Sequence, residues 1–232
     1  MNLAIFDIDG TLTATNQVDA DCFVQAIADV FSVHIKNTDW NSYTTYSDSG
    51  ITAQIFQEQF GRLPDASEWQ KLIDHFVALL QKAYQDRPEQ FSEIAGASEM
   101  FKKLITEPHW TLAIATGCWQ ASAKLKLNYA DIDYAGMPLA HSDEIFTREA
   151  IIQHAIEKAR IQHQNQPFDR IVYVGDGKWD VRATKILKLN FVGISNHINP
   201  ELLLEEGAKV VLPDYRDYLK FMQALETATV PV

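Results

Sequence analysis

Ala4-Ile5-Phe6-Asp7-Ile8-Asp9-Gly10-Thr11-Leu12-Thr13 is the stretch whose reading decides the fold. It opens with an apolar run, Leu3 to Phe6, of the kind that forms a parallel strand buried on both faces. The run breaks at once into two carboxylates, a glycine and a hydroxyl. If the chain stays extended past Phe6, Asp7 and Asp9 project to the same side, because alternate strand side chains share a face. Their repulsion would be relieved by a cation, and a hard divalent ion with oxygen ligands, such as Mg2+, suits the pair. Gly10 permits a tight turn and close backbone approach. In open α/β sheets ligands bind beyond the carboxyl ends of the strands, which is where these acids fall. A plain Asp-Gly turn is the simpler reading of the same residues.

The chain has 232 residues, enough for one large domain or a domain carrying a substantial insertion. Apolar residues make up 47% and charged residues 22%, a soluble globular balance. The net charge of -11 argues against a nucleic-acid partner, whose binding surfaces are basic. An anionic small substrate would need a locally positive pocket of metal, Lys or Arg and backbone N–H groups. Cys22 and Cys118 make no spaced pair and read as free thiols, and the seven histidines show no zinc-ligand spacing. Asp7 falls where a signal peptide would keep its apolar core, and no apolar run approaches the ~20 residues of a membrane span. The expected setting is the cytoplasm, with no membrane partner.

After Thr13 the pattern turns helical and stays so to about residue 90, which predicts an inserted helical module over 15–90 and a core of 1–14 and 91–232. Within the insertion, Val18 to Phe31 has near-helical apolar spacing, Asn37 to Gly50 is polar, and a short helix is expected over Ile51 to Phe60. Asp65 and Glu68 have the spacing of a capping box before a long amphipathic helix. From Gly96 helix and strand alternate, the pattern of a parallel sheet with helices on both faces. Strands are expected at Trp110 to Ala115, weakly at 136–140, at Ile171 to Val174, at Asn190 to Ile194 and at Lys209 to Leu212.

Two more strand ends carry chemistry. Thr116-Gly117 follows an apolar strand directly and can cradle a phosphate with a hydroxyl and backbone N–H groups, or simply cap the helix near Trp119. Gly175-Asp176-Gly177-Lys178-Trp179-Asp180 puts two carboxylates between a strand end and a first helical turn. An N-cap role explains Asp180 better than Asp176.

Taken in order, these stretches resemble the motifs of the haloacid dehalogenase-like hydrolase superfamily. Asp7-x-Asp9-Gly10-Thr11 is similar to its first motif, Thr116 to its second and Gly175-Asp176-x-x-x-Asp180 to its fourth. The third motif is a Lys or Arg between the second and fourth. No Lys-Pro pair marks it here, and Arg148 at a helix start is preferred over Lys124, Lys126 or Lys158. The resemblance implies a Rossmann-like parallel sheet with an inserted helical cap of C1 type, in the layout of the phosphoglycolate phosphatase-like branch.

It implies Asp7 as nucleophile, forming an aspartyl-phosphate, and Asp9 as general acid and base. Thr116, Gly117 and Arg148 would hold the phosphoryl oxygens. Mg2+ would be bound by Asp7, the backbone carbonyl of Asp9 and Asp176, with Asp180 in support. An acid two residues after the nucleophile fits phosphomonoester hydrolysis better than attack on carbon, so a small phosphorylated metabolite is the expected partner, handled by a monomer or homodimer. A phosphosugar mutase keeps both acids and is the alternative, and a non-catalytic binding protein on the same scaffold the more distant one. Thr15, Asn16, Tyr43, Tyr46, Ser47 and Asp48, with Lys178 and Trp179, are candidate contacts to the leaving group.

Overall fold

Strand β1 (Asn2–Phe6) takes the central place in a parallel sheet and is fully buried from Leu3 on. The computed structural model describes residues 1–196 and 199–232. Among these the sheet also holds β2 (Trp110–Ala115), β3 (Leu139–Ala140), β4 (Arg170–Gly175), β5 (Asn190–Ile194) and β6 (Val211–Leu212), in the order β3-β2-β1-β4-β5-β6. Phe6 lies opposite Ile114 on one side and Val174 on the other. That register delivers Asp7, Thr116 and Asp176 to one edge of the sheet, because each follows the end of a strand paired in parallel with β1 or is the first residue beyond β1 itself.

The chain leaves this edge into α1 (Asn16–Phe31), α2 (Asp48–Phe60) and α3 (Ala66–Asp86) before it returns to the sheet. Exit and return run side by side: Ile94 N–H donates to the Leu12 carbonyl and Ala14 N–H to that of Ser92, both at 2.8 Å. The capping box of α3 forms as its sequence predicts, with Asp65 accepting from Glu68 N–H and Glu68 from Asp65 N–H. Helix α2 starts three residues earlier than its apolar pattern predicts. Ser47, inside a stretch that reads as polar loop, caps it by accepting from Gly50 N–H at 3.0 Å.

The remaining helices are α4 (Ala97–Leu104), α5 (Gln120–Tyr129), α6 (Arg148–Gln162), α7 (Lys178–Leu187), α8 (Glu201–Glu206) and α9 (Tyr218–Thr227). Alternation along β1 sorts them onto two faces. Ala4 and Phe6 pack with Phe101 of α4, Leu127 of α5 and Phe221 of α9, whereas Leu3 and Ile5 pack with Ile151 of α6, Val181 of α7 and Leu203 of α8. Each fully buried side chain of this size contributes about 1.5–3 kcal/mol. No described helix is long and apolar enough to cross a membrane.

A third apolar cluster binds the inserted helices to the sheet layer. Val18, Phe23, Leu72, Phe76 and Leu80 come from α1 and α3, but Trp119, fully buried, enters from the turn that follows β2. Tyr84 of α3 stacks on Tyr129 of α5, with ring centroids 3.6 Å apart.

Candidate active site

Of the basic residues weighed between the second and fourth motif stretches, Arg148 is the one that reaches Asp7. It is the first residue of α6, capped by Thr147, and it is buried where a surface helix residue would be exposed. Its Nη1 and Nη2 lie 3.2 and 3.4 Å from Asp7 Oδ1 and Oδ2, and its Nε lies 3.4 Å from Asp180 Oδ1. One planar guanidinium thus spans a strand-end carboxylate and one from the first turn of α7. Lys124 is exposed, and Lys158 donates to the Leu139 carbonyl at 2.8 Å; neither competes for this position.

Asp7, Asp176 and Asp180 each offer a carboxylate oxygen within 4.8 Å of the others. Asp180 is held by Gly177 N–H at 3.1 Å and by the Tyr173 hydroxyl at 3.3 Å. Asp176 accepts from Asn16 Nδ2 at 2.9 Å through Oδ2, but its Oδ1 is buried with no hydrogen-bond partner. Burial pushes the Asp176 carboxyl well up, and the charges of Asp180 and Asp7 push it further. Burial raises Asp180 to about 7 and raises Asp7 as well, even against the Arg148 guanidinium. Three buried carboxyl groups stand beside one guanidinium, which reaches only Asp7 and Asp180, so the cluster is short of positive charge. An all-oxygen donor set with an orphaned Asp176 oxygen fits a hard divalent cation. Gly10, at φ +74°, passes so close that a Cβ there would lie 1.8 Å from Asp176 Oδ2.

The carboxylate of Asp9 does not join this cluster, so any share it takes in binding a metal falls to its backbone carbonyl. It turns to a second cation instead. Lys126 of α5 is fully buried, with Nζ 2.6 Å from Asp9 Oδ2, 2.5 Å from Asp19 Oδ1 and 3.0 Å from Cys118 Sγ. The Thr15 hydroxyl donates to Asp9 Oδ1 at 2.5 Å and the Cys118 thiol to Oδ2 at 2.8 Å. Burial works against ionisation of Asp9, yet Lys126 and these donors outweigh it and hold the carboxyl below its usual range. The two acids of the Asp7-x-Asp9 stretch therefore each have their own buried cation.

Thr116 is fully buried at the mouth of β2, and its Oγ1 accepts from Cys118 N–H at 3.2 Å, which leaves the hydroxyl proton for a ligand oxygen. Two N–H groups at the start of α5 are already taken: Trp119 N–H donates to Asp48 Oδ2 at 3.0 Å and Gln120 N–H to Asp143 Oδ1 at 2.8 Å. The inserted helix α2 thus caps this helix start with a carboxylate, on the Trp119 N–H and not on that of Gly117. In return Asp48 N–H donates to the Gly117 carbonyl at 2.8 Å. A Cβ at Gly117 would meet the Tyr46 carbonyl at 2.7 Å, so a side chain at this position would separate the two layers.

A cleft of about 160 Å3 lies between these layers, lined by Asp7, Asp9, Thr116, Gly117 and Arg148 on the sheet side. Tyr46 and Trp179 stack across its flank, with centroids 4.9 Å apart. A model of the haloacid dehalogenase-like hydrolase family matches residues 4–194.

The chain belongs to that family.

Its solved relatives share the whole architecture. A hydrolase from Pseudomonas syringae is 20% identical, with 99% of this chain and 100% of that one covered and a TM-score of 0.73. A protein described as a beta-phosphoglucomutase from Bacteroides vulgatus is 15% identical, covering 98% and 89%, with a TM-score of 0.68. One described as a phosphoglycolate phosphatase from Haemophilus somnus is 17% identical, covering 95% and 97%, with a TM-score of 0.63. At these identities the likeness concerns the fold. No curated protein matches the chain.

In this haloacid dehalogenase-like hydrolase, Tyr46, Ser47, Asp48, Asn16 and Trp179 line the cleft, as their places in the sequence predict. Tyr43 instead tucks under the insertion, its hydroxyl on the Asn37 carbonyl at 3.1 Å, and Lys178 is not among the lining residues. Sequence reasoning missed Asp19, Phe23, Trp40 and Cys118 as wall residues, and it weighed Lys126 only as a substitute for Arg148. The one signal available for Phe23 and Asp19 was their helical spacing in α1, which by itself says only that the face is covered.

Proposed function

We propose that this hydrolase is a Mg2+-dependent phosphatase that cleaves a small phosphomonoester through an aspartyl-phosphate on Asp7. The observation that carries the reading is the Arg148 clamp on Asp7 beside the orphaned oxygen of Asp176, which supports a nucleophile that meets metal and phosphoryl group together.

Asp7 attacks phosphorus and holds it covalently. Arg148 keeps Asp7 oriented and, with the Thr116 hydroxyl and the Gly117 backbone, draws negative charge off the phosphoryl oxygens. Asp9 gives a proton to the leaving alkoxide and later takes one from water. The ionised form that Lys126 holds is the base form, so the acid step requires Asp9 to exchange this ion pair for a proton. Asp7, the Asp9 backbone carbonyl and Asp176 would bind Mg2+, with Asp180 behind them. When bound, the ion neutralises the charge that develops on the phosphoryl group.

The proposal extends to a small phosphorylated metabolite as partner, to a cytoplasmic setting, and to a monomer or homodimer. A residue range of 15–90 serves as the cap and 1–14 with 91–232 as the core. A phosphosugar mutase is the second reading, favoured by the retention of both Asp7 and Asp9. Turnover of a panel of sugar and small-metabolite phosphates, assayed both for released phosphate and for isomerised ester, tests the choice. Phosphate release with Mg2+ supports the phosphatase, and isomerised product without release overturns it in favour of the mutase.

A further inference from the structure

The wall of the cleft away from the Arg148 clamp has an unusual composition for a pocket that takes anionic esters. Asp19 and Asp48 line it beside the aromatic side chains of Phe23, Trp40, Tyr46 and Trp179. Around the whole cleft six carboxylates, Asp7, Asp9, Asp19, Asp48, Asp176 and Asp180, meet two buried cations, Arg148 and Lys126. Both cations are spent: Arg148 on Asp7 and Asp180, Lys126 on Asp9 and Asp19. A divalent ion would answer the cluster at the strand ends, whereas Lys126 alone stands against Asp9, Asp19 and Asp48 at the outer wall.

Asp48 is nine-tenths buried, and only its Oδ2 has a donor among the described residues, Trp119 N–H. Burial and the like charges of Asp19 and Asp9 push its carboxyl well up, even against Lys126, and a cation brought beside it would favour the ionised form. The next cation outward, Arg182 beyond the Tyr46–Trp179 stack, is paired with Glu206 at 2.6 Å. A leaving group bearing a second anion would find no free cation among these lining residues and would be desolvated against carboxylates. A positively charged one would find two carboxyl groups and several aromatic side chains, the surroundings that recognise ammonium groups.

We propose that the alcohol released from the ester is cationic, an amino alcohol or a quaternary-ammonium alcohol, with its ammonium group received by Asp48 and Asp19 against the aromatic wall. The inference rests on the phosphatase reading of the same site. The chemistry is ordinary monoester hydrolysis: the phosphorus–oxygen bond to the alcohol breaks, the alcohol leaves with one proton, and water supplies the oxygen of the released phosphate.

The experiment compares kcat/KM with Mg2+ for phosphocholine, glycerol phosphate and phosphoglycolate, whose leaving groups are cationic, neutral and anionic, with p-nitrophenyl phosphate run alongside. Phosphocholine should exceed glycerol phosphate by about tenfold and phosphoglycolate by more, and Asp48→Asn should shrink the first ratio several-fold. A flat order, or phosphoglycolate in first place, overturns the inference. Absence of turnover on all four esters would count against the phosphatase reading, and the wall is then judged by binding alone. Saturable quenching of tryptophan fluorescence by choline, with none by glycolate, upholds the charge preference, and no response to choline overturns it.

Discussion

Lys126 Nζ lies 2.6 Å from Asp9 Oδ2 with no part of the lysine side chain exposed, so the second acid of the site is tied to a cation that solvent cannot reach. The same ammonium serves Asp19 at 2.5 Å. Replacing it by an apolar chain of similar length strands two carboxylates, each less than a fifth exposed. Loss of one partner from a buried pair is strongly unfavourable. Lys126→Met should therefore lower unfolding free energy by about 3 kcal/mol in urea titrations. Adding Asp19→Asn should restore part of the loss. An unchanged unfolding midpoint in the single variant would mean that the ion pair contributes nothing net.

Arg148 offers a separate test, because its role is geometric as well as electrostatic. Arg148→Lys keeps the charge but cannot reach Asp7 and Asp180 at once with a planar fork. We expect kcat to fall about a hundredfold in Arg148→Met and by an intermediate factor in Arg148→Lys, measured on p-nitrophenyl phosphate. Equal activity in Arg148→Lys and the parent chain would show that charge alone suffices.

Gly117 marks a close approach of the inserted segment to the sheet edge. Its Cβ position lies 2.7 Å from the Tyr46 carbonyl and 3.2 Å from Ser47 Cα, both backbone atoms that cannot rotate away. Gly117→Ala should cost about 1–3 kcal/mol and raise KM, because the segment carrying Tyr46 and Asp48 must shift outward. A variant with parental stability and parental KM would contradict this contact.

The acidic cluster predicts a metal effect that does not depend on turnover. Mg2+ at about a hundred times its Kd should stabilise the chain by about 2.7 kcal/mol, a rise in Tm of about 5–10 °C. Asp176→Asn should reduce the rise, and in EDTA it should be at least as stable as the parent, since it removes a buried carboxyl that has an unpartnered oxygen and is crowded by Asp180 and Asp7. A thermal shift unchanged by Asp176→Asn would place the ion elsewhere.

Much of this architecture was legible in the sequence because parallel strands buried on both faces read as short apolar runs, and polar residues that interrupt them stand out. β1, β2 and β4 end where Asp7, Thr116 and Asp176 interrupt those runs. Edge strands were less legible: only Leu139–Ala140 and Val211–Leu212 pair, shorter than the apolar stretches around them. The helices α8 and α9 were not read at all. Contacts between distant residues left no local trace. Lys126 finds Asp9 and Asp19 at 117 and 107 positions' remove, and nothing in its own neighbourhood marks it as buried. The insertion also reads as separable from the sheet, whereas Trp119 completes its apolar cluster and Asp48 caps α5, so the two layers share side chains.

The central claim is that Asp7 carries the phosphoryl group, and the most direct measurement is to catch it there. The protein is quenched during turnover of p-nitrophenyl phosphate with Mg2+, reduced with borohydride and mapped by peptide mass spectrometry. Borohydride reduces an acyl phosphate to the alcohol, so homoserine at position 7, absent without substrate, is the predicted result. Turnover that leaves Asp7 unmodified, or a label on another residue, would contradict the account.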